Sequence, residues 1–272
     1  MNPDLRPFRD MATRLALAAG EVLLQHRASA GRTVQSKGQR RELVTAADRA
    51  AEHVVVGGLL AAFPDHAVLA EEGVLTTQGL ASKQADWTWI VDPLDGTTNF
   101  VHGLPFFAVA IALAFQNKPV VGVVHAPVLG ETFVAAAGLG AVRRRADGSE
   151  EAVKVSATGE LADALLATGF AYVRDEPGRE DNAAKLARVL PLCRDIRRLG
   201  SAELDLCYTA AGIYDGYWEL YLAPYDVAAG AVIVQEAGGR ITDLRGGDDW
   251  LFGGKVLATN GTLHDELLRR LG

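Results

Sequence analysis

The stretch Trp89-Ile90-Val91-Asp92-Pro93-Leu94-Asp95-Gly96-Thr97-Thr98-Asn99-Phe100 concentrates more chemistry than any other part of the chain. Its opening residues, together with Trp87 and Thr88, are aromatic or β-branched, which predicts a short buried strand that delivers Asp92 at its end. Pro93 stiffens the turn that follows, Gly96 can take a positive φ without steric cost, and Thr97 and Thr98 add hydroxyls. The two carboxylates can offer oxygen to a hard divalent cation, and the N–H groups of Gly96, Thr97 and Thr98, if they start a helix, point at an anion. Taken alone, the same turn could also be one whose Asp and Thr only cap a helix.

Upstream, Ala67-Val68-Leu69-Ala70 predicts a second buried strand, and it too ends in acids, Glu71 and Glu72. Before it, Thr45-Ala46-Ala47-Asp48 opens an alanine- and valine-rich helix with Thr45 as N-cap and Asp48 in the first turn, ending near Phe63-Pro64-Asp65. Apolar residues at helical spacing from Phe8 to about Gln25 predict an amphipathic helix, and Gly31 to Glu42 is polar loop. Downstream, Phe106–Phe115 and Pro119–His125 read as antiparallel strands, with further strands at Glu131–Ala136 and on either side of Asp147-Gly148. The second half alternates: strand at Leu165–Ala167, helix around Asn182–Leu190, strand near Asp195–Arg198, helix from Ser201, strand at Tyr217–Leu222, helix from Asp226, strand at Arg240–Thr242. That alternation predicts an α/β layered unit behind a largely antiparallel first half.

The chain has 272 residues, 49% of them apolar and 22% charged, enough to bury a large core and far from the composition of disorder. A net charge of -7 argues against a surface that coats nucleic acid or anionic lipid. Cys193 and Cys207 have neither C-x-x-C spacing nor a His cluster nearby, so both read as buried small hydrophobes rather than as a disulfide or zinc site. With no signal-type N-terminus and no long apolar run, a cytoplasmic location is expected.

The sequence resembles the inositol monophosphatase family, within the lithium-sensitive, magnesium-dependent phosphatases. The match runs from Leu43-Val44-Thr45-Ala46-Ala47-Asp48 through Glu71-Glu72 and Trp89–Phe100 to Arg198-Leu199-Gly200-Ser201-Ala202, and then to Pro224-Tyr225-Asp226-Val227-Ala228-Ala229-Gly230 followed by Glu236-Ala237-Gly238-Gly239. The resemblance implies a layered α-β-α-β-α sandwich of the inositol monophosphatase and fructose bisphosphatase type. Residues 1–156 would form an N-terminal half carrying most metal ligands, and residues 157–272 a C-terminal half completing one catalytic unit.

It also implies two or three magnesium ions: one held by Glu71, Asp92 and the Leu94 carbonyl, a second by Asp92, Asp95 and Asp226, and a weaker third leaning on Glu71. Thr97, oriented by Asp48, would help deprotonate the attacking water. Asp95, Gly96, Thr97, Thr98, Ala202, Glu219 and Asp226 would meet the substrate, with Glu219 accepting from an inositol hydroxyl. Lys37 and Glu72 are weaker candidates by the same resemblance. Three positions depart from the family's pattern, namely Glu42, Gly73 and Tyr225, and none removes a metal ligand.

These residues together lead to the expectation of a magnesium-dependent, lithium-sensitive phosphomonoesterase acting on myo-inositol 1-phosphate or a related polyol phosphate, assembled as a homodimer. Fructose 1,6-bisphosphate, adenosine 3′,5′-bisphosphate and histidinol phosphate are the alternative substrates. A regulatory protein touching RNA or the transcription machinery is the alternative of another class. The basic runs Arg143-Arg144-Arg145 and Arg197-Arg198 give it little support, since the first, beside the Asp147-Gly148 turn, reads as a solvated or edge-protecting strand face.

Overall fold

A computed structural model describes residues 4–28, 34–36, 43–73, 85–172 and 178–272. Helix α1 (Arg6–Ala28) leads to a two-stranded antiparallel pair, β1 (Val34–Ser36) and β2 (Leu43–Thr45), and then to helix α2 (Ala46–Ala62). Thr45 and Asp48 form the expected capping box: the Thr45 hydroxyl accepts from the Ala47 N–H and Asp48 accepts from the Thr45 N–H at 2.8 Å.

Both helices lie on one face of a seven-stranded sheet. Its order follows the sequence: β3 (Ala67–Ala70), β4 (Trp87–Asp95), β5 (Ala108–Phe115), β6 (Lys118–Ala126), β7 (Glu131–Ala136), β8 (Ala141–Arg145) and β9 (Glu150–Ala152). Strands β3 and β4 are parallel and so end together, which puts Glu71 beside the turn after Asp92; the remaining pairs are antiparallel.

Strand β5 shows why the layers stack as they do. Val109, Ile111 and Leu113 join the core under α1 and α2, whereas Ala108, Ala110, Ala112 and Ala114 face the opposite core. That small-residue face admits helices α5 (Ala202–Ala210) and α6 (Ala228–Glu236) at close range, so close that any Cβ on Gly122 of β6 would collide with the Ala229 carbonyl. Behind these helices lies a five-stranded mixed sheet in the order β11 (Asp195–Arg197), β10 (Leu165–Thr168), β12 (Gly216–Leu220), β14 (Lys255–Thr259) and β13 (Arg240–Thr242). Helices α4 (Asn182–Val189) and α7 (His264–Leu271) cover its far face over a third core containing Leu166, Trp218 and Leu257. The result is the expected α-β-α-β-α sandwich.

Strand β14, helix α7 and the β1–β2 pair were not part of the sequence expectation. One cysteine reading is corrected: Cys207 is buried, but Cys193 is only partly so, because it follows the exposed turn at Leu190–Leu192 on the edge of the small sheet. The arginine run does not lie on an edge strand, since β8 is paired on one side with β7 and on the other with β9, and its side chains are ion-paired to acids of those two strands. Arg143 meets Glu131 at 3.3 Å and also Glu151, Arg144 meets Glu150 at 2.7 Å, and Arg145 meets Glu151 at 2.9 Å. Among the described residues no helix is long and apolar enough to cross a membrane.

Candidate active site

Strand β4 runs through Asp92-Pro93-Leu94 to Asp95, with a register shift against β5 between the two acids. Gly96 then turns the chain at φ 89° into the short helix α3 (Thr97–His102). No side chain fits there, since a Cβ would come within 2.9 Å of the Phe106 carbonyl. Asp92 and Asp95 therefore leave the sheet at fixed positions, and the first N–H groups of α3 have no acceptor inside the helix.

The turn opens into a cavity of about 270 Å³. Glu71, Asp92, Asp95 and Asp226 line it together with Leu94, Gly96 and Thr97, as do Ala202 and Glu219 from the second half of the chain. Thr98 stands at its rim, where its hydroxyl lies 3.2 Å from that of Tyr172. Asp48 sits behind Thr97: the Thr97 hydroxyl is 3.3 Å from Asp48 Oδ1 and 3.1 Å from the Leu94 carbonyl, and Asp48 is fully buried. Glu72 does not line the cavity; its backbone N–H donates to Glu52 at 2.7 Å. Lys37 lies outside the described residues.

The electrostatics are those of like charges confined together. Asp92 is held well above the usual carboxylate range by burial first, and then by repulsion from Glu71, Asp95 and Asp226. Asp226 is likewise pushed well up, first by the walls that exclude water and then by Glu71, Asp95 and Glu219. Asp95 rises only to about 6, because the burial that lifts it is opposed by three donors. Ser201 Oγ donates at 2.5 Å, the Glu203 N–H at 2.9 Å and the Ala202 N–H at 3.2 Å. Asp95 of the first half thus caps helix α5 of the second, where its charge also meets the positive end of the helix dipole.

Glu219 on β12 is buried and raised to about 7, by burial above all, while the Tyr217 hydroxyl at 2.6 Å and the nearby Arg198 favour its charged form. Gly169 makes room for it, since any Cβ there would overlap its carboxylate.

Whether a cation suits this site can be judged from the donors. Several buried carboxylates facing one space, with their ionisation suppressed by one another, are what a hard divalent ion relieves. Among the described residues no three acids, imidazoles or thiols already close on one point as a finished ligand set. Both oxygens of Asp95 and one each of Asp92 and Asp226 are turned to protein N–H or O–H donors. The donor set still fits magnesium, which takes a few carboxylates and keeps several waters.

Sequence reasoning overlooked several residues of this site. Ser201 and Glu203 act only through contacts between distant segments, and Arg198, Tyr172 and Tyr221 line the cavity alongside the acids. Ser201 was visible inside the Gly200-Ser201-Ala202 match. Tyr221 gave no signal, although its backbone sits at φ 64°, an unusual conformation for a bulky residue.

Comparison with known proteins agrees with this geometry. The model of a family described as the inositol monophosphatase family matches residues 4–271. An inositol-1-monophosphatase of Synechocystis is 41% identical over 268 residues, covering 98% of this chain and 90% of the relative. A protein of Pseudomonas aeruginosa named Nus factor SuhB is 39% identical over 257 residues, covering 94% of this chain and 92% of its own length. The solved structure of an inositol monophosphatase from Anabaena (Nostoc) superposes with a TM-score of 0.86 at 42% identity, covering 99% of this chain and 96% of that one.

Proposed function

The chain belongs to the inositol monophosphatase family and is a phosphoric monoester hydrolase, and from that premise we propose that it releases phosphate from myo-inositol 1-phosphate or a closely related polyol phosphate with the help of magnesium. The observation that carries this reading is the meeting of Glu71, Asp92, Asp95 and Asp226 in one cavity whose edge bears the Thr97–Asp48 hydrogen bond. Glu71, Asp92, the Leu94 carbonyl, Asp95 and Asp226 would hold the metal, drawn from both the 1–156 and the 157–272 halves. When bound, magnesium offsets charge on the phosphoryl and departing oxygens and makes a nearby water more acidic.

The remaining work falls to the chain. The free N–H groups opening α3 receive phosphate oxygens and align the phosphorus. Thr97 directs its hydroxyl proton toward Asp48, which leaves its lone pairs to accept from the attacking water, and Glu71 orients that water from the opposite side. Water oxygen bonds to phosphorus, the ester P–O bond breaks, and the proton that the water gives up is returned to the departing alkoxide, so that alcohol and inorganic phosphate leave. Glu219, with one oxygen occupied by Tyr217, offers the other to a hydroxyl of the polyol.

Phosphate release by the purified protein from inositol 1-phosphate, fructose 1,6-bisphosphate, adenosine 3′,5′-bisphosphate and histidinol phosphate, with magnesium and with EDTA, tests this reading. Turnover led by inositol 1-phosphate and abolished by EDTA is expected. A different leading ester would move the substrate, and turnover indifferent to EDTA would overturn the metal.

The relatives named Nus factor SuhB motivate a second reading, in which the chain also serves the transcription machinery. The ion-paired arginines of β8 leave it without a free basic face there. Salt-sensitive RNA binding that survives Asp95→Asn would favour it.

A further inference from the structure

Glu203 is a buried acid with no place in the chemistry above. It occupies the first turn of α5, is fully inaccessible to solvent, and does not line the cavity. Its two ends nevertheless reach both sides of the carboxylate cluster. The backbone N–H donates to Asp95 Oδ2 at 2.9 Å. The side chain accepts from the first-turn N–H groups of α6, with Oε1 3.2 Å from Ala229 N and Oε2 2.5 Å from Gly230 N. Helix α6 starts two residues after Asp226, with Val227 as its N-cap, and Asp226 Oδ2 takes the Ala223 N–H.

Three carboxylates therefore form a relay of helix caps, with Asp95 on α5, Glu203 on α6, and Asp226 on the turn that precedes α6. The fit around Glu203 is tight. A Cβ on Gly230 would come within 2.7 Å of Glu203 Oε2 and 2.5 Å of Leu206 Cβ, so the two helices cannot slide without breaking the clamp. Its carboxylate is also near enough to feel the charges of both Asp95 and Asp226.

We propose that Glu203 is a positioning residue that sets the spacing between Asp95 and Asp226, and thereby the affinity of the cation those two acids share. This rests on the metal-dependent reading of the site. A carboxyl group is suited to the task because two orphan N–H donors at a helix start need a two-pronged acceptor, and its two oxygens take the Ala229 and Gly230 N–H groups one each. Glutamine offers one acceptor and turns a donor toward the second N–H. Aspartate keeps both oxygens but cannot span the same distance.

Direct titration of Mn²⁺, followed by the electron paramagnetic resonance of the free ion, reads cation affinity without turnover. Wild type, Glu203→Gln and Glu203→Asp are compared, with the melting temperature of each metal-free protein measured alongside. Mn²⁺ binding about 10-fold weaker in both variants, with activity recovering at saturating metal, is expected for a group that orients the liganding residues. Should Glu203→Gln fail to fold, Glu203→Asp alone carries the comparison. A lower melting temperature with Mn²⁺ affinity unchanged within about twofold would make Glu203 a merely structural cap and overturn the proposal. Wild type that binds no Mn²⁺ would overturn the metal-dependent reading together with this one, whereas equal binding by wild type and variants overturns only the role of Glu203.

Discussion

In the role proposed for it, Glu219 shows how one side chain can be shaped for recognition. On a strand of alternating residues it could have been an ordinary solvated acid. In the fold it is buried on the cavity wall, with Gly169 cleared away beneath it and one oxygen held by Tyr217. A substrate hydroxyl that pairs with the free oxygen replaces the water lost on entry, while an aryl ester has nothing to offer there. Glu219→Gln is therefore expected to raise KM for inositol 1-phosphate about 10-fold and to leave KM for a small aryl phosphate within about twofold. Steady-state kinetics on the two esters check this, and equal effects on both would remove Glu219 from substrate selection. Ser201 and Glu203 show the limit of reading at this scale. Nothing in their local sequence says that they will meet Asp95, more than a hundred positions away.

At the scale of elements, the small faces decide the spacing. The alanines of β5 and Gly122 of β6 let α6 lie directly on the sheet, which brings Asp226 to the acids at the end of β4. Gly122→Val should destabilise the protein by about 3 kcal/mol, because its side chain meets backbone rather than a flexible neighbour, and urea unfolding would measure it. Cation affinity should fall along with stability if α6 is displaced.

Most of the elements were legible because their periodicity is local: the α1 and α2 stripes, the β5 alternation, the Thr45–Asp48 cap and the acids at strand ends. Strand β14 was not, since the strand pairing between β12 and β13 is fixed by partners rather than by its own five residues. Strand β1 lies in the polar stretch Gly31 to Glu42, and β2 is three residues long, too short for alternation to show. The convergence of Glu71, Asp92, Asp95 and Asp226 came from family resemblance, because spacing along the chain does not determine distance through it.

Across the whole molecule, each of the two large sheets has a buried, neutral histidine bonded to its threonines. His125 of β6 contacts Thr132 of β7 at 2.9 Å under α1, and His264 of α7 lies 2.9 Å from both Thr242 and Thr259. Burial lowers each from 6.5 to about 4. The unfolded chain thus takes up protons first as pH falls from 6.5 toward 4, and stability is lost across that window by at most about 1.4 kcal/mol per pH unit for each histidine. The raised carboxylates of the cavity push the other way, since the folded state holds their protons to higher pH. Comparing urea unfolding of wild type with a His125→Asn/His264→Gln double variant at pH 5 and pH 7.5 isolates the imidazoles. The variant should lose less stability on acidification, and parallel curves would show that neither histidine titrates on unfolding.

Tyr172, Glu219 and Tyr221 line the cavity from segments separate from the turn that carries Asp92, Asp95 and Thr97. With the proposed role of Glu219 in receiving the alcohol, selectivity and reactivity would be separable traits here. Mutational drift can re-aim the enzyme toward a new alcohol by repainting those segments, while the machinery that cleaves the phosphate is inherited intact.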